Sequence, residues 1–213
     1  YVFIKRILRV DKYIRRKYEF FDIVIHFIEI EANERGFDNY EIYTKELKGR
    51  LARFQREVRP LMPFVIKAFI PVIIFTLFVA FFIFFTGLSN ISSVTLTAVF
   101  VIWVIDTAVV VLIYIYRMNK IWDDVQQFES EMYDTISQVF ILLKLLDYPI
   151  IYCTDPRIKK DFTIYTILGF VTGGIWFLVW DYYVHTAPDD MYQTFHKAED
   201  IMVEVVKLCC KRD

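Results

Sequence analysis

Two kinds of pattern alternate along this chain. Residues 64–85, 91–116 and 162–184 are nearly unbroken apolar runs, while the stretches around them place apolar residues at every third or fourth position among charged ones. Spacing by three and four marks an amphipathic helix. The unbroken runs have the length of helices that cross a bilayer: at about 1.5 Å per residue each exceeds the hydrocarbon core of about 30 Å. The pattern predicts an all-α integral membrane protein with three transmembrane helices and long coiled-coil-like cytoplasmic helices.

The first two runs are separated only by Thr86-Gly87-Leu88-Ser89-Asn90, which predicts a hairpin. Lys67 lies near one end of the first run, where it can snorkel, and Pro71 is expected to kink it. In the third run Gly169, Gly173 and Gly174 form a small-residue face, and Trp176, Trp180, Tyr182 and Tyr183 suit a membrane–water interface. A re-entrant segment turning at Gly173-Gly174 is the alternative to a third full crossing.

The polar stretches carry stripes. Phe3, Ile7, Val10 and Ile14 form one; Tyr40, Tyr43, Leu47, Leu51, Phe54 and Val58 form a second. Met118, Ile121, Val125, Phe128, Met132, Ile136, Val139 and Leu143 form a third, and Met191, Phe195, Ala198, Met202, Val205 and Cys209 a fourth. Nothing breaks the chain after Tyr116, so the second span is expected to continue as one helix toward Asp147, with Pro149 ending it and the stretch before the first span lying antiparallel beside it. Residues 148–152 are apolar but short, and are assigned to the interface. Gly36–Asn39 separates the first two helices, and Arg59-Pro60-Leu61-Met62-Pro63 marks a kink at the membrane surface. The organisation is then 1–60, amphipathic helices; 61–116, a transmembrane hairpin; 117–161, a helical stalk and interfacial segment; 162–184, a third span; and 185–213, an amphipathic C-terminal helix.

Charge sets the expected orientation. Arg50, Arg53, Arg56 and Arg59 precede the first span, Arg117 and Lys120 follow the second, and Arg157, Lys159 and Lys160 precede the third. The positive-inside rule places these in the cytoplasm with the N-terminus, and three crossings would then carry Asp190 and the tail outside. The Asn90-Ile91-Ser92 sequon would lie outside, too near the membrane for glycosylation. A net charge of −1 gives no reason to expect nucleic acid as a partner.

Candidate chemistry centres on Asp106, a carboxylate inside the second run. Its cost on insertion scales is about 2.5–3.5 kcal/mol, so such a residue usually faces a partner, a cavity or an ion path. Thr107 is beside it, and Thr95 and Thr97 lie on the outer half of the same run, which makes Asp106, Thr107, Thr95 and Thr97 an ion-pathway candidate. The alternative is a structural Asp106, protonated or bonded to Thr76, Thr166 or Thr172. Seven Lys or Arg fall in the first 17 residues, and Lys5, Arg9, Lys12 and Arg16 share a face suited to an anionic lipid surface or to solvent. Asp22, His26 and Glu29 have metal-like spacing but read as a solvated face, His185, Asp189, Asp190, His196 and Asp200 could bind a metal only with low specificity, and no metal is expected. Cys153, Cys209 and Cys210 make no disulfide framework, and the adjacent pair is a weak lipidation candidate. No phosphate loop, dinucleotide fingerprint, nucleophile elbow or metalloprotease motif is present, so neither an enzyme nor a cofactor is expected. These features lead to two expectations: an oligomeric, cation-conducting membrane protein using Asp106, or a membrane-anchored scaffold or assembly factor binding protein partners through its helical seams. Both have the lipid bilayer as a partner, and a homo-oligomer is expected.

Overall fold

The computed structural model describes residues 2–37, 40–58, 61–87, 91–150, 162–172 and 174–210. They form six helices: α1 (Val2–Glu34), α2 (Tyr40–Glu57), α3 (Leu61–Thr86), α4 (Ser93–Leu142), α5 (Phe162–Val171) and α6 (Ile175–Cys209). Gly173, Cys153, Asn90, Arg59, Arg157, Lys159, Lys160 and residues 151–152, all singled out in the sequence, lie outside the described residues, as do the side chains of Phe3, His185 and Asp190.

Local chemistry sets the helix ends. At the end of α1, Gly36 takes φ 65°, its N–H donates to the Asn33 carbonyl at 3.2 Å, and the Phe37 N–H donates to the Ala32 carbonyl at 3.0 Å. This double closure needs a left-handed residue, which glycine supplies without a Cβ clash. α4 starts at Ser92, whose Oγ accepts from the Thr95 N–H at 3.1 Å. It runs 50 residues, about 75 Å if straight.

The end of α4 differs from the expectation that Pro149 terminates it. Lys144 takes φ 55°, its N–H donates to the Ile141 carbonyl, and the Leu145 N–H closes on the Phe140 carbonyl at 2.8 Å. The same closure as in α1 therefore stops the helix several residues before the proline. The chain then folds back, and the Ile150 N–H donates to Ser137 Oγ at 2.8 Å. Ser137 is 20 residues past Arg117, about 30 Å along α4. Tyr148 and Ile150 thus sit at the end of α4 remote from Arg117.

Four helical stretches bury one another: α1, α2, the second half of α4 and α6. Ring contacts Tyr13–Trp122, Phe21–Phe128 and Phe27–Phe140 lay α1 parallel to α4. Phe54 stacks on Phe128 at 3.9 Å and Arg50 pairs with Glu131, so α2 returns antiparallel as expected. Tyr133 stacks on Phe195, and Arg9 and Arg16 meet Asp189 and Glu199, which makes α6 parallel to α1. Along the stripes, Met118 through Leu143 on α4 and Met191 through Cys209 on α6 are buried, as are Leu47, Leu51, Phe54, Val58, Ile7 and Val10. Tyr40, Tyr43 and Ile14 are half-buried against them.

The other end of the molecule is apolar and open. Two helices are long and apolar enough to cross a membrane, over Pro63–Thr86 and Ser93–Leu142. Their most apolar windows are only 6% and 17% buried, so these windows are not part of the core. They pack on each other as the expected hairpin, with Trp103 Nε1 donating to Thr76 Oγ1 at 3.0 Å. α3 carries Pro71 within its length.

The third run is not one helix. α5 stops at Val171 after 10 residues, Gly174 takes φ 95°, and α6 starts back alongside α5. A Cβ on Gly169 would lie 2.3 Å from the Phe177 ring, so the two helices touch where glycine leaves room. Ten residues span about 15 Å, half of a hydrocarbon core. The expectation of a third transmembrane helix over 162–184 is therefore replaced by a helical hairpin. Asp189 and Glu199 are ion-paired to Arg9 and Arg16, so the C-terminal part of α6 lies beside α1.

Candidate functional site

The stripe on α1 continues past Ile14 as Lys17, Phe21, Val24 and Ile28, so a lysine occupies a core position. On α4 the sequence Trp122, Val125, Glu129, Met132 and Ile136 has the same spacing, and on α6 Phe195, Glu199 and Met202 has it again. Three helices thereby deliver one cation and two carboxylates to a single buried layer. Lys17 is 1% exposed and Glu129 0%.

The geometry satisfies every charge. Lys17 Nζ donates to Glu129 Oε2 at 2.7 Å and to the Tyr133 hydroxyl at 3.2 Å, and it forms an ion pair with Glu199 Oε1 at 2.6 Å. Tyr13 donates to the other Glu129 oxygen at 2.7 Å. Tyr133 reaches Glu199 Oε1 at 3.4 Å, and Arg16 donates to Glu199 Oε2 at 3.0 Å from the solvent edge. The rings of Tyr13, Tyr133 and Phe195 lie 5.2, 5.5 and 5.7 Å from the ammonium and add cation–π attraction. Two cations face two carboxylates, so the layer is neutral with all groups ionised.

Burial outweighs the neighbours in setting one pKa. Removal from water pushes Glu129 up to about 7, against the opposing pull of Lys17 and the Tyr13 hydrogen bond, with Glu199 adding to the rise. The Tyr13 and Tyr133 phenols are pushed far above their ordinary range, first by burial and then by Glu129, so both remain donors. The layer fastens α6 to α1 and α4. Breaking such a buried pair costs about 3–5 kcal/mol, because the remaining charge has no water to turn to.

The ion-pathway candidates are not brought together. Thr95 Oγ1 lies 2.8 Å from Ser92 Oγ in the N-cap, the Thr97 hydroxyl donates to the Ser93 carbonyl at 2.9 Å, and the Thr107 hydroxyl donates to the Trp103 carbonyl at 2.8 Å. All three are satisfied within their own helix. Asp106 is half-buried and, among the described residues, has no hydrogen-bond partner. Its suggested partners are occupied: Thr76 serves Trp103 and the Val72 carbonyl, and Thr172 serves the Leu168 carbonyl. An apolar cleft of about 490 Å³ lies between α3 and α4, lined by Thr76, Val79, Ile83, Leu96, Thr97, Val99, Phe100 and Trp103; it includes Thr97 but not Asp106.

The lipid-surface candidates divide. Lys5 and Lys12 are exposed, whereas Arg9 and Arg16 are committed to Asp189 and Glu199 on α6. Of the loose metal-like groups, Glu29 pairs with Lys48 at 2.5 Å and Asp189 with Arg9. Cys209 is buried and Cys210 exposed. No family model, curated protein or solved structure matches this chain.

Proposed function

We propose that the protein is a membrane-anchored scaffold, in which α3 and α4 cross the bilayer and hold a four-helix bundle against one face of it. The sealed Lys17–Glu129–Glu199 layer carries this reading: the costliest polar chemistry of the chain is spent on holding helices together. Further support comes from the hydroxyls of Thr97 and Thr107, which are bonded to carbonyls of their own helix. The basic residues Arg50, Arg53, Arg56, Arg117 and Lys120 lie at the bundle end of the spans, so the bundle is assigned to the cytoplasm. A partner surface is offered by the groove of about 470 Å³ between α1 and α2, floored by Ile14, Tyr18, Phe54 and Val58 and edged by Asp11 and Arg15. This chemistry suits an amphipathic helix of a protein partner.

Cation conduction through an oligomer is the second reading, and Asp106, half-buried and unpartnered inside a span, favours it. Two crossing helices enclose no path alone, so several copies would have to surround an axis. The deciding experiment is reconstitution of the whole chain in a nanodisc and in liposomes. A monomer or two-fold dimer with no cation flux above empty vesicles is the expected result. A ring with α4 around an axis, and flux removed by Asp106→Asn, would overturn the scaffold reading.

A further inference from the structure

The α5–α6 hairpin presents an unusual combination. Its outer side chains are large, apolar and exposed: Ile164, Ile167, Phe170, Val171, Ile175 and Leu178 are between 55% and 78% accessible. Among the described residues of its turn, in contrast, the backbone donors are taken. The Thr172 N–H donates to the Leu168 carbonyl, the Gly174 N–H to the Gly169 carbonyl at 2.8 Å, the Ile175 N–H to the Thr172 carbonyl and the Phe177 N–H to the Gly174 carbonyl. The remaining described donor there, the Trp176 N–H, is taken by Thr172 Oγ1 at 3.0 Å. Irregular backbone survives in hydrocarbon only when its polar groups are satisfied internally. A turn in water has no such requirement and would not favour six bulky apolar residues around it.

The position of the hairpin follows from α6. Its C-terminal half is parallel to α1 and to the stalk of α4, pinned by Arg9–Asp189, Arg16–Glu199 and Lys17–Glu199. Its N-terminal end therefore points toward the end of the molecule that carries α3 and the first half of α4. Asp181, Tyr182 and Tyr183 lie two turns from the tip, where a polar group and amphipathic rings suit the headgroup level.

We propose that the α5–α6 hairpin is a wedge inserted half-way into the bilayer from the bundle side, with the acyl chains of that one leaflet as its partner. α3 and α4 displace lipid from both leaflets; the wedge displaces it from one. The inference rests on the membrane reading of α3 and α4 but on neither the scaffold nor the conduction reading.

Depth-dependent quenching tests it, using whole protein with Cys153, Cys209 and Cys210 replaced by Ala, in phosphatidylcholine–phosphatidylglycerol vesicles. A fluorophore at Ile175→Cys should be quenched most by spin labels near the acyl-chain ends, and one at Tyr182→Cys most by labels near the headgroup. Lys45→Cys and Tyr192→Cys should react with an impermeant thiol reagent from the same side. Phe100→Cys is the control for the spans: if it is not quenched either, the membrane reading fails as a whole. Quenching at Phe100 with none at Ile175 overturns the wedge alone, as does reaction of Lys45→Cys and Tyr192→Cys from opposite sides. In Gly169→Leu the side chain must displace Phe177, so the tip should lose its depth preference while Phe100→Cys keeps its own; an unchanged tip signal counts against the packed hairpin.

Discussion

The two halves of α4 are built from much the same apolar residues and do opposite things with them. From Ser93 to Val109, Val94, Leu96, Phe100, Val101, Ile102, Val104 and Ile105 all face outward. From Val110 onward, Tyr114, Met118, Trp122, Val125, Met132, Ile136 and Phe140 are buried. One helix passes from a region with a single helical neighbour to one with three. In the first half large apolar side chains lie on every face, interrupted by Thr95, Thr97, Asp106 and Thr107, and apolar surroundings suit it. In the second the stripe has a polar reverse side, so burial against α1, α2 and α6 is the solution water permits. Apolar content thus says where a helix can live, and its periodicity says whether it needs protein neighbours there.

The comparison is broken most severely at the charged layer. Lys17→Met leaves Glu129 and Glu199 facing each other without their shared cation, and should cost about 3–5 kcal/mol in denaturation of the detergent-solubilised protein. Converting Glu129 and Glu199 to Leu as well should recover most of that loss. A single variant as stable as the parent would mean that the layer is hydrated.

Truncation along α4 comes next. Phe140→Ala, in the buried half, should lose about 3–5 kcal/mol. Phe100→Ala is 61% exposed in the parent and should change stability little. Equal losses at the two positions would remove the contrast between the halves, and would show Phe100 packed against another copy.

A smaller effect should appear with pH. Glu129 titrates near 7 in the folded chain and near 4.5 when unfolded, so between these values the folded state holds a proton that the unfolded state has lost. Stability contributed by that proton is complete below about pH 4.5 and is lost as pH rises through about 7. Glu129→Gln cannot titrate, and unfolding curves measured from pH 5 to 8 should show a flatter dependence than the parent. Parallel curves would place the titrating group elsewhere.

The smallest change is expected at Thr97→Val. Its hydroxyl is bonded to the Ser93 carbonyl, so removing it should alter stability by no more than about 0.5 kcal/mol and leave assembly intact. A large loss of assembly would reveal an intersubunit role for that face.

Much of this architecture was legible in the sequence. The uninterrupted apolar runs and three-and-four stripes determined the helices, the α3–α4 hairpin, the antiparallel return of α2 and the buried positions from Met118 to Leu143, because periodicity reports which faces must leave water. The same rule hid Lys17, Glu129 and Glu199: a charge at a stripe position looks like the end of a stripe until partners on other helices are known. Their signal was present in the spacing, since Lys17 continues Ile7, Val10 and Ile14, but a pairing across 112 and 182 residues is a property of the fold.

Chain reversal divides in the same way. Gly36 marked its break because only a left-handed residue closes that turn at low cost. Lys144 closes an equivalent turn without any such mark, and Pro149 drew attention away from it. At Gly173-Gly174 the composition allowed either a crossing or a turn. Composition and periodicity make residues 162–184 apolar and helix-forming; their doubling back comes from packing, because α6 is fastened to α1 and α4 by Asp189 and Glu199, far along the chain, and its start must return to meet α5.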